Sequence, residues 1–243
     1  MKVIQVKSLE KKFKTIEAVK KINFSINQNQ TLALLGPNGC GKTTTIGMLL
    51  GLITPTSGQI FINEEELKYK DHQFLNIMNF ASPYVELPKK LTVLENLKVY
   101  GRMYLIKNLK DKIDQLIEDL NLKTFLNKKT GELSSGQKNR VSLAKSLIND
   151  PKILLLDEPT ASLDPDTGDY VRSYLEKYKK EKEISILLAS HNMSEVTRLS
   201  DYVLMMKEGQ IIDHGEAKDL IDKHGRENLE QVFLKLVREK NEY

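Results

Sequence analysis

The stretch Thr31-Leu32-Ala33-Leu34-Leu35-Gly36-Pro37-Asn38-Gly39-Cys40-Gly41-Lys42-Thr43 decides how the rest of the chain is read. Gly36 to Thr43 fits the pattern G-x-x-x-x-G-K-[ST]. It follows a β-rich run at Thr31 to Leu35 and opens a helix-like run from Lys42 to Leu50, the context in which this pattern is a phosphate loop. Glycines let the backbone wrap closely around phosphates, and successive N–H groups with a helix N-terminus supply positive potential. Lys42 would reach the β and γ phosphates, and the Thr43 hydroxyl would hold Mg²⁺. Gly36, Pro37, Asn38, Gly39, Cys40, Gly41, Lys42, Thr43 and Thr44 are therefore the candidate ATP-binding residues.

Outward from the loop, further strand candidates are Val3 to Val6, Ile22 to Ile26, Ile153 to Leu156, Ile184 to Leu188 and Tyr202 to Met206. The later ones alternate with helix-like segments, as in a largely parallel sheet covered on both faces. Between Leu91 and about Ile148 the texture is helical, with amphipathic sets such as Val93-Leu94-Leu97-Tyr100-Gly101-Tyr104 and Ile113-Leu116-Ile117-Leu120. This pattern predicts an α/β core, residues 1–83 and 149–215, interrupted by a helical subdomain at about 84–148. A helical tail at about 216–243 carries the stripe Leu229, Val232, Phe233, Leu236 and Val237, which is expected to pack on its own domain.

The 243 residues, 40% hydrophobic and 29% charged, suit one large domain with a subdomain and give no compositional case for disorder. Net charge is +4, and the basic residues are 31 Lys and 6 Arg. That balance lacks the bidentate forks of nucleic-acid readers, and no nucleic-acid partner is expected. No apolar run approaches the roughly 18 residues of a membrane span. The first residues meet charge too soon for a secretory signal, so a cytosolic protein is expected. Cys40 is the single cysteine, excluding an internal disulfide or a multi-cysteine metal site.

Two further segments carry chemistry. Ile153-Leu154-Leu155-Leu156-Asp157-Glu158 delivers two carboxylates at the C-terminal end of an apolar strand, where α/β sheets place ligands. Beside a phosphate loop, Asp157 would coordinate Mg²⁺ and Glu158 would orient or deprotonate the attacking water. Leu133-Ser134-Ser135-Gly136-Gln137 opens a helix-like run, which reads either as a Ser N-cap or as an anion site at a helix N-terminus. By themselves, His191 in Ala189-Ser190-His191-Asn192 is a polar strand end and Phe13 a core residue.

With the Ala161-Ser162-Leu163-Asp164 loop and His191 added, the chain resembles the nucleotide-binding ATPase of an ATP-binding cassette (ABC) transporter. The separations agree: 136 − 42 = 94, 157 − 136 = 21 and 191 − 157 = 34. The resemblance implies a P-loop NTPase core, its mostly parallel sheet joined to an antiparallel β portion. It implies a head-to-tail dimer with itself or a homologous ATPase subunit, in which Ser134, Ser135, Gly136 and Gln137 act in trans on the partner's ATP. It further implies that Phe13 stacks on adenine, His191 contacts the γ-phosphate and positions Glu158, and Asp164 links the two sites. Mg²⁺ is the implied cofactor. The implied partner is an integral membrane permease, with the chain peripheral on the cytoplasmic face; a soluble cassette ATPase acting on ribosomes or nucleic acid is the rival.

Two positions depart from the family pattern. Ser82 or Pro83 stands where a Gln is usual, and Ser135 where Gly is usual. The segment from Gly225 to Leu234 is similar to the tail of ATPases serving ABC-2 type exporters, which implies export.

Overall fold

The computed structural model of the protein describes residues 1–68, 73–161 and 163–239. The chain forms two compact units, Met1–Phe74 with Ser185–Tyr243, and Leu75–Ile184. The first unit begins with β1 (Lys2–Phe13) and β2 (Ile16–Asn27), an antiparallel pair joined by a short turn. Both strands run well beyond the apolar runs expected of them. Lysines and glutamates occupy their solvent side, and register shifts at four places break the alternation that marks a strand in sequence.

β3 (Thr31–Leu35) is buried at all five positions, which is why it reads as a continuous apolar run. It leads through the glycine loop into α1 (Lys42–Leu49). β4 (Ser57–Ile62) then pairs antiparallel with β1, and β5 (Glu65–Glu66) with β4. Neither stands out in sequence, because β4 opens with Ser57-Gly58-Gln59 and β5 is two glutamates.

The second unit contains β6 (Met78–Ala81), α2 (Val93–Met103), α3 (Leu109–Asp119), α4 (Ser135–Ser146), β7 (Ile153–Asp157) and α5 (Pro165–Lys182). β6 and β7 pair in parallel. The helical stretch predicted between Leu91 and Ile148 is present as α2, α3 and α4. α2 starts on a capping box: the Glu95 N–H donates to Thr92 Oγ1 at 3.2 Å and the Thr92 N–H to Glu95 Oε2 at 2.7 Å. These bonds hold the Glu95 carboxyl below its usual range. α2 buries Val93, Leu97 and Gly101, and a Cβ on Gly101 would lie 2.0 Å from Leu109 of α3. α5 is tied to the helical stretch by tyrosines two turns apart. Tyr170 donates to the Asp119 carbonyl, and Tyr178 to Asp150 Oδ1 at 3.2 Å, where Lys112 also binds at 2.7 Å.

The chain then returns to the first unit with β8 (Ser185–Ser190), α6 (Met193–Leu199), β9 (Tyr202–Lys207) and β10 (Gln210–Gly215). β3 pairs in parallel with both β8 and β9, and β10 closes back antiparallel on β9. The mostly parallel sheet with a separate antiparallel portion is thus present. α7 (Ala217–His224) and α8 (Leu229–Glu239) complete the unit. Leu229, Val232 and Phe233 are buried, so the apolar stripe of the tail packs on its own unit. Ser162 and the side chain of Val237 lie outside what is described.

Candidate functional site

The predicted site residues fall into two sets, one in each unit. In the first unit, β3 aims the glycine loop at the start of α1. Gly36 leaves β3 under a steric limit: a Cβ there would stand 2.3 Å from the Met206 carbonyl oxygen and 2.8 Å from Cys40 Sγ. The Cys40 N–H donates to the Pro37 carbonyl at 3.3 Å, closing a turn. Gly41, at φ +107°, has no room for a side chain, since its Cβ would lie 2.5 Å from the Ala18 carbonyl oxygen. The β9–β10 turn braces the loop, with the Gly209 N–H donating to the Cys40 carbonyl at 3.1 Å. Cys40 is buried, with its thiol packed against Gly36.

No side chain caps α1 at Gly41, and its first turn carries no acidic residue. The positive end of the helix therefore keeps its attraction for an anion. Lys42 is buried, and its ammonium donates to the Gly36 carbonyl at 2.6 Å and the Pro37 carbonyl at 3.2 Å. Its charge is held over the loop by the loop's own oxygens. Thr43 is exposed and Thr44 partly so.

Phe13 is not a core residue: it is 43% exposed at the end of β1, with the Lys11 ammonium 4.8 Å from its ring centre. His191 is exposed at the end of β8, in front of α6. The segment around it is pinned: Ser190 donates to Glu195 Oε2 at 2.7 Å, and the Asn192 N–H donates to Ser190 Oγ at 3.0 Å.

In the second unit, β7 ends on Asp157, 2% exposed, followed by Glu158, 5% exposed. Glu158 adopts φ +53°, in the left-handed region. Eleven other described non-glycine residues have positive φ, and all eleven are exposed, whereas Glu158 is buried. A left-handed backbone at a buried non-glycine residue costs about 1–3 kcal/mol and persists only where the surroundings enforce it. Ser134 is the N-cap of α4 in a full capping box: the Gln137 N–H donates to Ser134 Oγ at 3.3 Å and the Ser134 N–H to Gln137 Oε1 at 3.1 Å. A Cβ on Gly136 would meet only ordinary contacts, 3.7 Å from Leu163 and 4.0 Å from Thr167, so this chain's own packing does not require glycine there. Asp164 caps α5, accepting from the Thr167 N–H at 3.0 Å, and that backbone bond holds its carboxyl below the ordinary value.

Ser82 is buried, with its hydroxyl accepting from the Tyr84 N–H at 3.3 Å and its carbonyl accepting from Ser142 at 3.4 Å. It lines a cavity of about 160 Å³ with Val85, Leu87, Leu133, Lys138 and Val141. Sequence reasoning missed the partners that hold these residues, namely Met206 over Gly36, Gly209 on Cys40, and Asn139, whose amide reaches the Pro159 carbonyl. Nothing in the sequence near either member of these pairs points to the other.

A family model described as ABC transporter matches residues 19–161. The chain belongs to the ABC transporter family. It is an ATPase cassette of that family and is similar over almost its whole length to the ABC transporter ATP-binding protein NatA of Bacillus subtilis. The two are 32% identical over 231 residues, covering 93% of this chain and 94% of NatA. The Fe(3+) ions import ATP-binding protein FbpC of Escherichia coli K12 is 33% identical, over 89% of this chain and 63% of that protein. A solved ATP-binding subunit of an ABC transporter shares the fold, with a TM-score of 0.87 at 23% identity, over 97% of this chain and 99% of that one.

Gly36→Ala is expected to destabilise the cassette by about 1–3 kcal/mol, the usual cost of overpacking, and to weaken ATP binding. Thermal melting and calorimetry check both, and a wild-type melting point with wild-type affinity would refute the steric reading.

Proposed function

We propose that this chain binds Mg·ATP on the Gly36–Thr44 loop and hydrolyses it in a head-to-tail dimer, powering a separately encoded membrane permease. The observation that carries this reading is the glycine loop opening α1 at an uncapped N-terminus, with the Lys42 charge held over it. Phosphate would displace the Gly36 and Pro37 carbonyls from Lys42 and accept its charge-assisted hydrogen bonds. Phe13, exposed on the β1–β2 hairpin, would stack on adenine.

Thr43 would offer a hydroxyl and Asp157 a carboxylate, hard oxygens of the kind that suit Mg²⁺. When bound, Mg²⁺ would neutralise charge between the β and γ phosphates. Glu158 would orient the attacking water and take its proton, and His191 would contact the γ-phosphate.

Ser134, Ser135, Gly136 and Gln137 would cover the partner's γ-phosphate, offering N–H groups at the start of α4. A glycine that its own fold does not need, at a helix N-terminus, supports an approach from outside the chain. Asp164 would communicate between the two sites. No helix of the described residues is long and apolar enough to cross a membrane. The permease would dock over the groove near Ser82 to Tyr100, with this chain on the cytoplasmic face. Export is the finer reading, resting on the Gly225–Leu234 segment.

With saturating Mg·ATP, the Glu158→Gln protein is expected to run at twice its nucleotide-free mass in size exclusion with light scattering. A monomer under those conditions would overturn the sandwich.

A further inference from the structure

Helix α4, which opens on the signature segment Leu133 to Gln137, carries three polar side chains, each donating to a carbonyl of its own unit. Asn139 Nδ2 donates to Pro159 at 2.6 Å, Ser142 Oγ to Ser82 at 3.4 Å, and Lys145 Nζ to Phe80 at 2.8 Å. Asn139 is 5% exposed, an expensive place for an amide unless its bond is wanted. Its acceptor is the residue directly after Glu158.

The Glu158–Pro159 peptide lacks an N–H, because its nitrogen belongs to proline, and so its one hydrogen-bonding group is the Glu158 carbonyl. The Glu158 carbonyl accepts from the Ala161 N–H at 3.0 Å, and the Pro159 carbonyl accepts from Asn139. Proline fixes its own φ, so holding its carbonyl also restrains the peptide that sets the Glu158 backbone. Left-handed backbone ahead of a proline is disfavoured and persists only where the surroundings enforce it. Asn139 holds the carbonyl next to it and is in a position to do so.

We propose that Asn139 is a positioning residue for hydrolysis: by holding the Pro159 carbonyl it keeps Glu158 buried and left-handed, so that carboxylate and signature helix move as one body. This rests on the assignment of Glu158 as the catalytic carboxylate. Through Ser142 and Lys145 the same helix also grips the segment from Phe80 to Ser82. A displacement there reaches Glu158 within one chain, without passing through the nucleotide.

The test is steady-state ATPase kinetics of Asn139→Asp, equal in size but unable to donate when ionised. Turnover is expected to fall roughly 10- to 100-fold, the scale of a misplaced catalytic group, with KM and ATP affinity unchanged. The deficit relative to wild type should shrink as pH is lowered, because a protonated carboxyl can donate. Asn139→Gln, which keeps the amide donor, should recover much of the loss. If Asn139→Asp folds poorly by thermal melting, Asn139→Ala provides the same kinetic comparison. Adding Asn139→Asp to Glu158→Gln should cause no further loss, since the positioned group is already gone. Wild-type turnover in Asn139→Asp, or a loss fully additive with Glu158→Gln, would overturn the proposal. Wild-type turnover in Glu158→Gln alone would instead overturn the underlying assignment.

Discussion

Glu158→Gln is expected to lower steady-state ATP turnover by roughly 10²- to 10⁴-fold, the contribution of a positioned general base, while leaving ATP affinity intact. The substitution keeps size and shape in a site where the residue is 5% exposed, so the left-handed turn into Pro159 is preserved. It removes one of two adjacent buried carboxylates. A coupled-enzyme assay with purified protein decides the matter: continued full turnover would sink Glu158 as the catalytic carboxylate.

Lys42→Ala is the second large effect, and it falls on binding. The ammonium supplies a charge-assisted bond to phosphate worth about 3 kcal/mol, or roughly 100-fold in affinity. It also braces the loop, reaching the Gly36 and Pro37 carbonyls when no phosphate is bound. Its loss therefore removes both the ligand's partner and part of the loop's preorganisation. Calorimetric titration with ATP should show no measurable binding at concentrations that saturate wild type, and unchanged affinity would refute the phosphate-loop reading. The two substitutions separate the steps, one abolishing binding and the other stopping hydrolysis after binding.

The helices between Leu91 and Ile148 were legible in sequence because their stripes are local: Val93 and Leu97 of α2, and Ile113 and Leu116 of α3, are buried at the helical spacing that predicts them. The antiparallel strands were only partly legible. In β1, Lys7, Lys11 and Lys12 face water, and the register shifts leave no clean alternation to read. Phe13 shows the converse error, since an aromatic side chain suggests core by type alone and only the open end of the hairpin puts it on the surface. At Ser134, both sequence readings were physically sound. The capping box is formed within the chain, as the N-cap reading expects.

The sequence by itself determined the chemistry of the phosphate loop, the carboxylate pair and the cap of the signature helix. Each is built from neighbouring residues whose types and spacing dictate a turn, a strand end or a helix start. Tertiary structure alone decided why Gly36 has no room for a side chain, since the obstacle is Met206, 170 residues away. It decided likewise that Glu158 is buried in a left-handed turn and that Asn139 holds the carbonyl beside it. Single contacts between residues far apart in the chain impose no period and no composition on it, so they become visible only when the chain is folded.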